Sequence, residues 1–251
     1  MWAASDRRLL TPLVIALIAL AWLVLWVWGS SPYGRFLSHH SLDEVRGGGL
    51  LALVFVAGWT VMIVAMMLPT SLPLVVLFHI FVGRRAHGAR LVALLIAGYL
   101  GIWTLFGVAV YVGDWGVHDL VEQNGWLRAN AWAIGAAILV LAGLYQFTPL
   151  KYHCLDKCRS PLVFMTERWQ GGRESARAFG IGISHGIFCL GCCWSLMLLM
   201  FAVGIGNLGW MLALGTVMAV EKNISWGRRM SAPLGVVLVA WGAYLLRSGL
   251  M

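Results

Sequence analysis

Seven long apolar runs, near residues 9–28, 50–82, 91–112, 131–149, 178–202, 207–226 and 232–248, leave this chain little material for a water-facing surface. A helix needs about 20 apolar residues to cross a bilayer, and in hydrocarbon it must satisfy its own backbone N–H and C=O groups. Only 11% of the 251 residues are charged and 61% are hydrophobic, against about 25% charged in an average soluble domain. The expected fold is an all-α polytopic membrane protein, one domain over 1–251 built as a bundle of about seven transmembrane helices. The second run is too long for one straight crossing. Pro69 and Pro73 inside it predict a kink or break, because each removes a backbone donor and crowds the preceding turn. The first run is too long for a cleaved leader and is expected to remain as a helix.

Charge placement orients the bundle. With the N-terminus cytoplasmic and the C-terminus outside, the inner segments hold Arg7, Arg8, Arg84, Arg85, Arg90, Lys151, Lys157, Arg159, Arg168, Arg173, Arg177, Lys222, Arg228 and Arg229. The outer ones hold only Arg35, Arg46, Arg128 and Arg247, completing the 18 basic residues. That asymmetry is the positive-inside pattern, and it predicts a multi-pass protein of a bacterial inner (cytoplasmic) membrane, with lipid around it. The net charge of +8 is therefore topological, and no nucleic-acid partner is expected. Loops of 18 to 30 residues at 29–49, 113–130 and 149–178 have room for short interfacial helices.

Chemistry concentrates in two places. His185, Cys189, Cys192 and Cys193 are offset by four, seven and eight residues, which puts them on one face of a helix. Counted from an inner end near Arg177, Cys189 lies about 18 Å in, close to the bilayer midplane. A single buried cysteine is usually a small hydrophobe. Three beside an intramembrane imidazole point to function. The second cluster is His153 with Cys154 and Cys158, bracketed by Pro149 and Pro161 and surrounded by Lys151, Lys157 and Arg159, cations that favour thiolate. Met66, Met67 and Met197 add thioethers. Thiolate, imidazole and thioether together suit cuprous copper, although methionine at helical spacing is also ordinary core packing. Glu221, beside Lys222, either pairs with that lysine or faces the bundle interior. The candidate metal ligands are thus His185, Cys189, Cys192, Cys193, Cys154, Cys158, His153, Met66, Met67, Met197 and Glu221.

The stretches Trp59-Thr-Val-Met62-Ile-Val-Ala-Met66-Met67-Leu-Pro69, Tyr145-Gln146-Phe-Thr148-Pro149-Leu-Lys151, Cys154-Leu-Asp-Lys-Cys158 and Gly182-Ile-Ser-His185-Gly186-Ile-Phe-Cys189-Leu-Gly191-Cys192-Cys193-Trp194 closely resemble one bacterial family. It is the family of predicted metal-binding integral membrane proteins, domain of unknown function 2182. The resemblance runs from about residue 50 to 225 and leaves out the first span. It implies a metal ion as ligand and a small protein partner in a hetero-complex.

Three functions fit these residues. In the first, a soft metal, copper before zinc, is held between the second, fifth and sixth spans. Cys154 and Cys158 exchange it at the cytoplasmic face, for transport or for delivery to a partner metalloprotein. The second is a transmembrane thiol–disulfide oxidoreductase using the Cys189/Cys192 and Cys154/Cys158 pairs. The third is a scaffold subunit with a structural zinc ion. No catalytic constellation and no nucleotide-binding loop is present. The depth estimate makes two separate sites simpler than one, since a shared site would need the Cys154/Cys158 loop to re-enter by more than about 10 Å.

Overall fold

The computed structural model describes residues 2–30, 49–83, 85, 87–130, 132–169, 172–203 and 207–249. Arg35, Arg46 and Arg84, and the short helices expected within 31–48, lie outside them. The described residues form helices α1 (Trp2–Gly29), α2 (Gly49–Val82), α3 (Gly88–Gln123), α4 (Gly125–Ala129), α5 (Trp132–Tyr145), α6 (Pro149–Arg159), α7 (Pro161–Arg168), α8 (Glu174–Val203), α9 (Leu208–Asn223) and α10 (Ser231–Ser248), with a 3₁₀ turn at Gly227–Met230. Five are long and apolar enough to cross a membrane, and α5 with α6 forms a bent pair that raises the number to six. Large apolar side chains cover the outside, among them Leu13, Leu105 and Val236, each more than half exposed. This exterior is compatible with a membrane protein.

The helix α2 runs unbroken through Pro69 and Pro73. Pro69 has no N–H to offer the carbonyl of Ala65 four residues back, and the Trp22 indole of α1 takes that place, donating to Ala65 O at 3.0 Å. Nearby, Met67 O accepts from Thr70 Oγ1 (2.8 Å) and Tyr99 OH (3.2 Å). The indole thus satisfies the carbonyl that Pro69 leaves without its donor, one of the ways spanning helices tolerate proline.

Two boundaries differ from expectation. The stretch 113–123, expected as loop, continues α3. Its polar residues pair one turn apart, His118 Nδ1 with Asp114 O at 3.0 Å and Gln123 Nε2 donating to Asp119 Oδ2 at 2.8 Å, so they support a helix instead of ending one. The fourth run stops early, at Tyr145. Pro149 disfavours helical geometry at the residue before it, and Thr148 is extended (φ −74°, ψ 142°). Backbone bonds tighten to i→i+3 over Gln146, Phe147 and Thr148. Thr148 then caps α6 by accepting from Lys151 N, with Pro149 in the first turn, where its missing donor costs nothing. The chain turns by 65° between α5 and α6. That turn folds α6 back against α8.

Helices α3 and α8 meet at backbone distance. A Cβ on Gly182 would lie 2.0 Å from Leu95 O, and one on Gly98 2.4 Å from Phe179 O. This is the small-residue seam by which membrane helices approach closely, and it carries Tyr99 to the cysteine face of α8.

Candidate metal centre

The predicted stripe forms on α8. Cys189, Cys192, Cys193 and His185 are all buried, at 0, 1, 1 and 4% exposure. All five cysteines are free thiols. Cys193 Sγ lies 3.8 Å from Met67 Sδ of α2, and Cys192 Sγ lies 4.0 Å from Cys158 Sγ of α6. Cys158 also neighbours Cys189. Cys158 of the second cluster is thus brought beside Cys192 and Cys189 of the first. Cys158 and Lys222 stand in the last turns of α6 and α9, which puts the sulfurs level with those charged helix ends.

Lys222 was assigned no metal role from sequence, and it lies at the centre. Its Nζ donates to Cys189 Sγ at 3.0 Å and to Thr70 Oγ1 at 3.3 Å, and lies 3.7 Å from both Cys193 Sγ and Met67 Sδ. Tyr99 OH is 3.1 Å from Cys189 Sγ. A lysine directly after a glutamate at the end of an apolar run reads as a boundary charge, so only the packing of α9 on α2 and α8 reveals it. Tyr99, within an apolar run beside Gly98, offered a weak signal: a hydroxyl that needs a partner when buried.

Other candidates take different positions. Glu221 does not pair with Lys222. It is 1% exposed and receives Lys151 Nζ at 2.8 and 3.0 Å and Ser231 Oγ at 2.6 Å, so its oxygens are committed away from the sulfurs. Lys151, expected to act on the thiols, is fully buried in that pair and also donates to Gln146 Oε1. Arg159, from the far end of α6, donates to Glu221 O and to Ser225 O. Both ends of α6 are therefore fastened to α9. His153 is exposed and packs edge-on against Phe188. His185 Nε2 is 3.2 Å from Ser71 Oγ, its Nδ1 has no hydrogen-bond partner, and its ring lies between Tyr99 and Phe164. Met66 faces Gly215 of α9, so of the two α2 methionines it is Met67 that reaches the thiols. Met197 is fully buried in the surrounding core.

Among the described residues no three His, Cys, Asp or Glu side chains form a cage for one ion. What converges is a mixed set of thiols and a thioether. The two sulfur approaches, Cys193 to Met67 at 3.8 Å and Cys192 to Cys158 at 4.0 Å, are separate pairs in van der Waals contact. Thiolates and thioethers select soft ions such as Cu(I).

The family model described as PpoB2, copper chaperone, matches residues 56–245. This stretch contains every sulfur just described. The chain belongs to the copper chaperone family. No curated protein and no solved structure matches it. The position of α6, and with it Cys158, depends on Gly191, where an added Cβ would lie 2.5 Å from Cys154 Sγ and 3.3 Å from its Cβ. Gly191→Ala will push α6 off α8. In a background retaining only Cys158 and Cys192, mild oxidation should then trap their disulfide with several-fold lower yield than before the substitution. An unchanged yield would show that the seam absorbs a methyl group.

Proposed function

We propose that this protein binds Cu(I) in the membrane and passes it to a partner metalloprotein or across the bilayer. Met67, Cys189 and Cys193 hold the ion, while Cys192 and Cys158 exchange it with the cytoplasmic side. The observation that carries this reading is the convergence of sulfurs from α2, α6 and α8, within a chain of the copper chaperone family. Thiolate-to-thiolate exchange moves such an ion without ever freeing it, and the 4.0 Å step from Cys158 to Cys192 suits it. Without a nucleotide site the movement is downhill or partner-driven. A second small protein is the partner we expect.

The reading includes seven passes through a bacterial inner membrane with the N-terminus cytoplasmic. Five long helices, the α5–α6 bent pair and α9 support that number. The 16 residues of α9 extend about 24 Å, and the basic residues after it favour the cytoplasmic side.

The test is elemental analysis of detergent-purified protein expressed with copper, zinc and iron available. The expected result is stoichiometric copper that vanishes in the Cys189→Ser/Cys192→Ser variant. Full stoichiometry in that variant would overturn the assignment, and one tightly held zinc per chain would favour a structural role. Thiol–disulfide exchange has one observation in its favour, the same Cys158–Cys192 approach. Trapping a mixed disulfide with a partner would support it.

A further inference from the structure

We infer, on the membrane reading above, that a groove at the start of α8 holds the phosphate group of an anionic phospholipid. The groove has a volume of about 470 Å³, within the usual range for a small-molecule site. Arg173, Arg177, Gly180, Ile181 and Ser184 line it from the start of α8, and Arg168 reaches it from the end of α7. Arg173, Arg177, Gly180 and Ser184 are spaced by four, three and four residues, so they share one face. That face has two parts. Its mouth carries the three guanidiniums, and Arg177 is the last Lys, Arg, Asp or Glu of α8. Beyond it Gly180 leaves open space, with nothing within 4 Å of an added Cβ, and Ile181 and Ser184 add no charge. This uncharged furrow runs about 10 Å along the helix from Arg177 to Ser184. A cationic mouth opening on an uncharged furrow fits a phospholipid, whose phosphate is joined to apolar chains. A free phosphate would use the mouth alone.

The guanidiniums have donors to spare, since each carries five N–H groups in a fork that matches phosphate oxygens. That of Arg168 is positioned by aromatic rings, 4.2 Å from the centre of Phe164 and 5.7 Å from that of Phe188. Arg177 Nη1 donates to Arg168 O at 3.4 Å, which ties the two sides of the mouth together. The Arg173 guanidinium has no hydrogen bond or ion pair among the described residues. Two carboxylates stand near in sequence, and both are engaged. Glu174 pairs with Arg85, and Glu167 lies 3.5 Å from both Lys157 and Arg168. The mouth therefore keeps a net positive charge. Basic pockets beside spanning helices on the cytoplasmic side are suited to anionic headgroups.

The experiment measures, by native mass spectrometry, the lipid retained by the full chain after reconstitution in vesicles of equal parts phosphatidylglycerol and phosphatidylcholine. Wild type should retain phosphatidylglycerol in preference. Arg173→Gln/Arg177→Gln should weaken that preference by about 5-fold or more, the factor expected from one basic residue beside an anionic headgroup. Arg128→Gln, which removes a charge from α4, should leave it unchanged. The decisive variant is Gly180→Leu, which fills the furrow and keeps every charge, and it should lose phosphatidylglycerol to a similar extent. Equal retention of the two lipids by wild type, or an unchanged preference in either groove variant, overturns the inference. Inorganic phosphate is the second probe. If it raises the melting temperature of wild type as much as phosphatidylglycerol does, and equally in Gly180→Leu, the mouth serves a soluble anion and the lipid assignment falls. A chain that enters vesicles of neither lipid would overturn the membrane reading as well, a result distinct from equal retention.

Discussion

Lys151→Met will lower the stability of the folded protein by about 3–5 kcal/mol, the usual loss when one member of a buried ion pair is removed. The carboxylate of Glu221 would be stranded at 2% side-chain exposure, keeping only Ser231 Oγ of its present side-chain donors. Gln146 would lose the ammonium bound to its Oε1. The measurement is thermal unfolding in detergent, with Lys151→Met/Glu221→Leu as the companion. Deleting both charges removes the stranded group, so the double variant should regain most of the lost stability. A single variant that melts with the wild type would mean that the pair holds nothing together. The sulfur cluster should be disturbed as well, because α6 carries Cys158.

The second large effect is expected at Gly182. A valine there would place its Cβ 2.0 Å from Leu95 O and 3.0 Å from Tyr99 N, both backbone atoms of α3. Overpacking against side chains costs about 1–3 kcal/mol, and rigid backbone yields less than a side chain does. Gly182→Val should therefore separate α3 from α8, draw Tyr99 OH away from Cys189, and leave little folded protein on size-exclusion chromatography. Gly180→Ala is the control. Nothing lies within 4 Å of its added Cβ, and alanine favours a helix interior over glycine by up to about 1 kcal/mol. It should be neutral or stabilising. Equal tolerance at both positions would contradict the close seam.

Much of this architecture is readable in the chain because hydrophobic length and helical period are local properties. The apolar runs mark the long helices, and the spacing of His185, Cys189, Cys192 and Cys193 places them on one face of α8. The misreadings share a different cause. Asp114 and Asp119 look like loop residues until their i,i+4 partners, His118 and Gln123, are considered. Pro69 and Pro73 predict a kink or break, and what keeps the helix continuous there is the indole of Trp22, 47 residues before Pro69. Lys222 and Glu221 are neighbours in sequence whose side chains diverge, and no local pattern tells which one meets the thiols. The union of Cys158 with Cys192 depends on the 65° turn after Tyr145, an angle that Pro149 permits but does not dictate.

The fastening of α6 to α9 couples two motions that would otherwise be independent. Glu221 is gripped through its carboxylate by the start of α6 and through its carbonyl by the end of it, and the very next residue is Lys222. Any outward movement of α6 therefore pulls on the ammonium at the sulfurs as it parts Cys158 from Cys192. Displacing α6 and displacing Lys222 become a single degree of freedom.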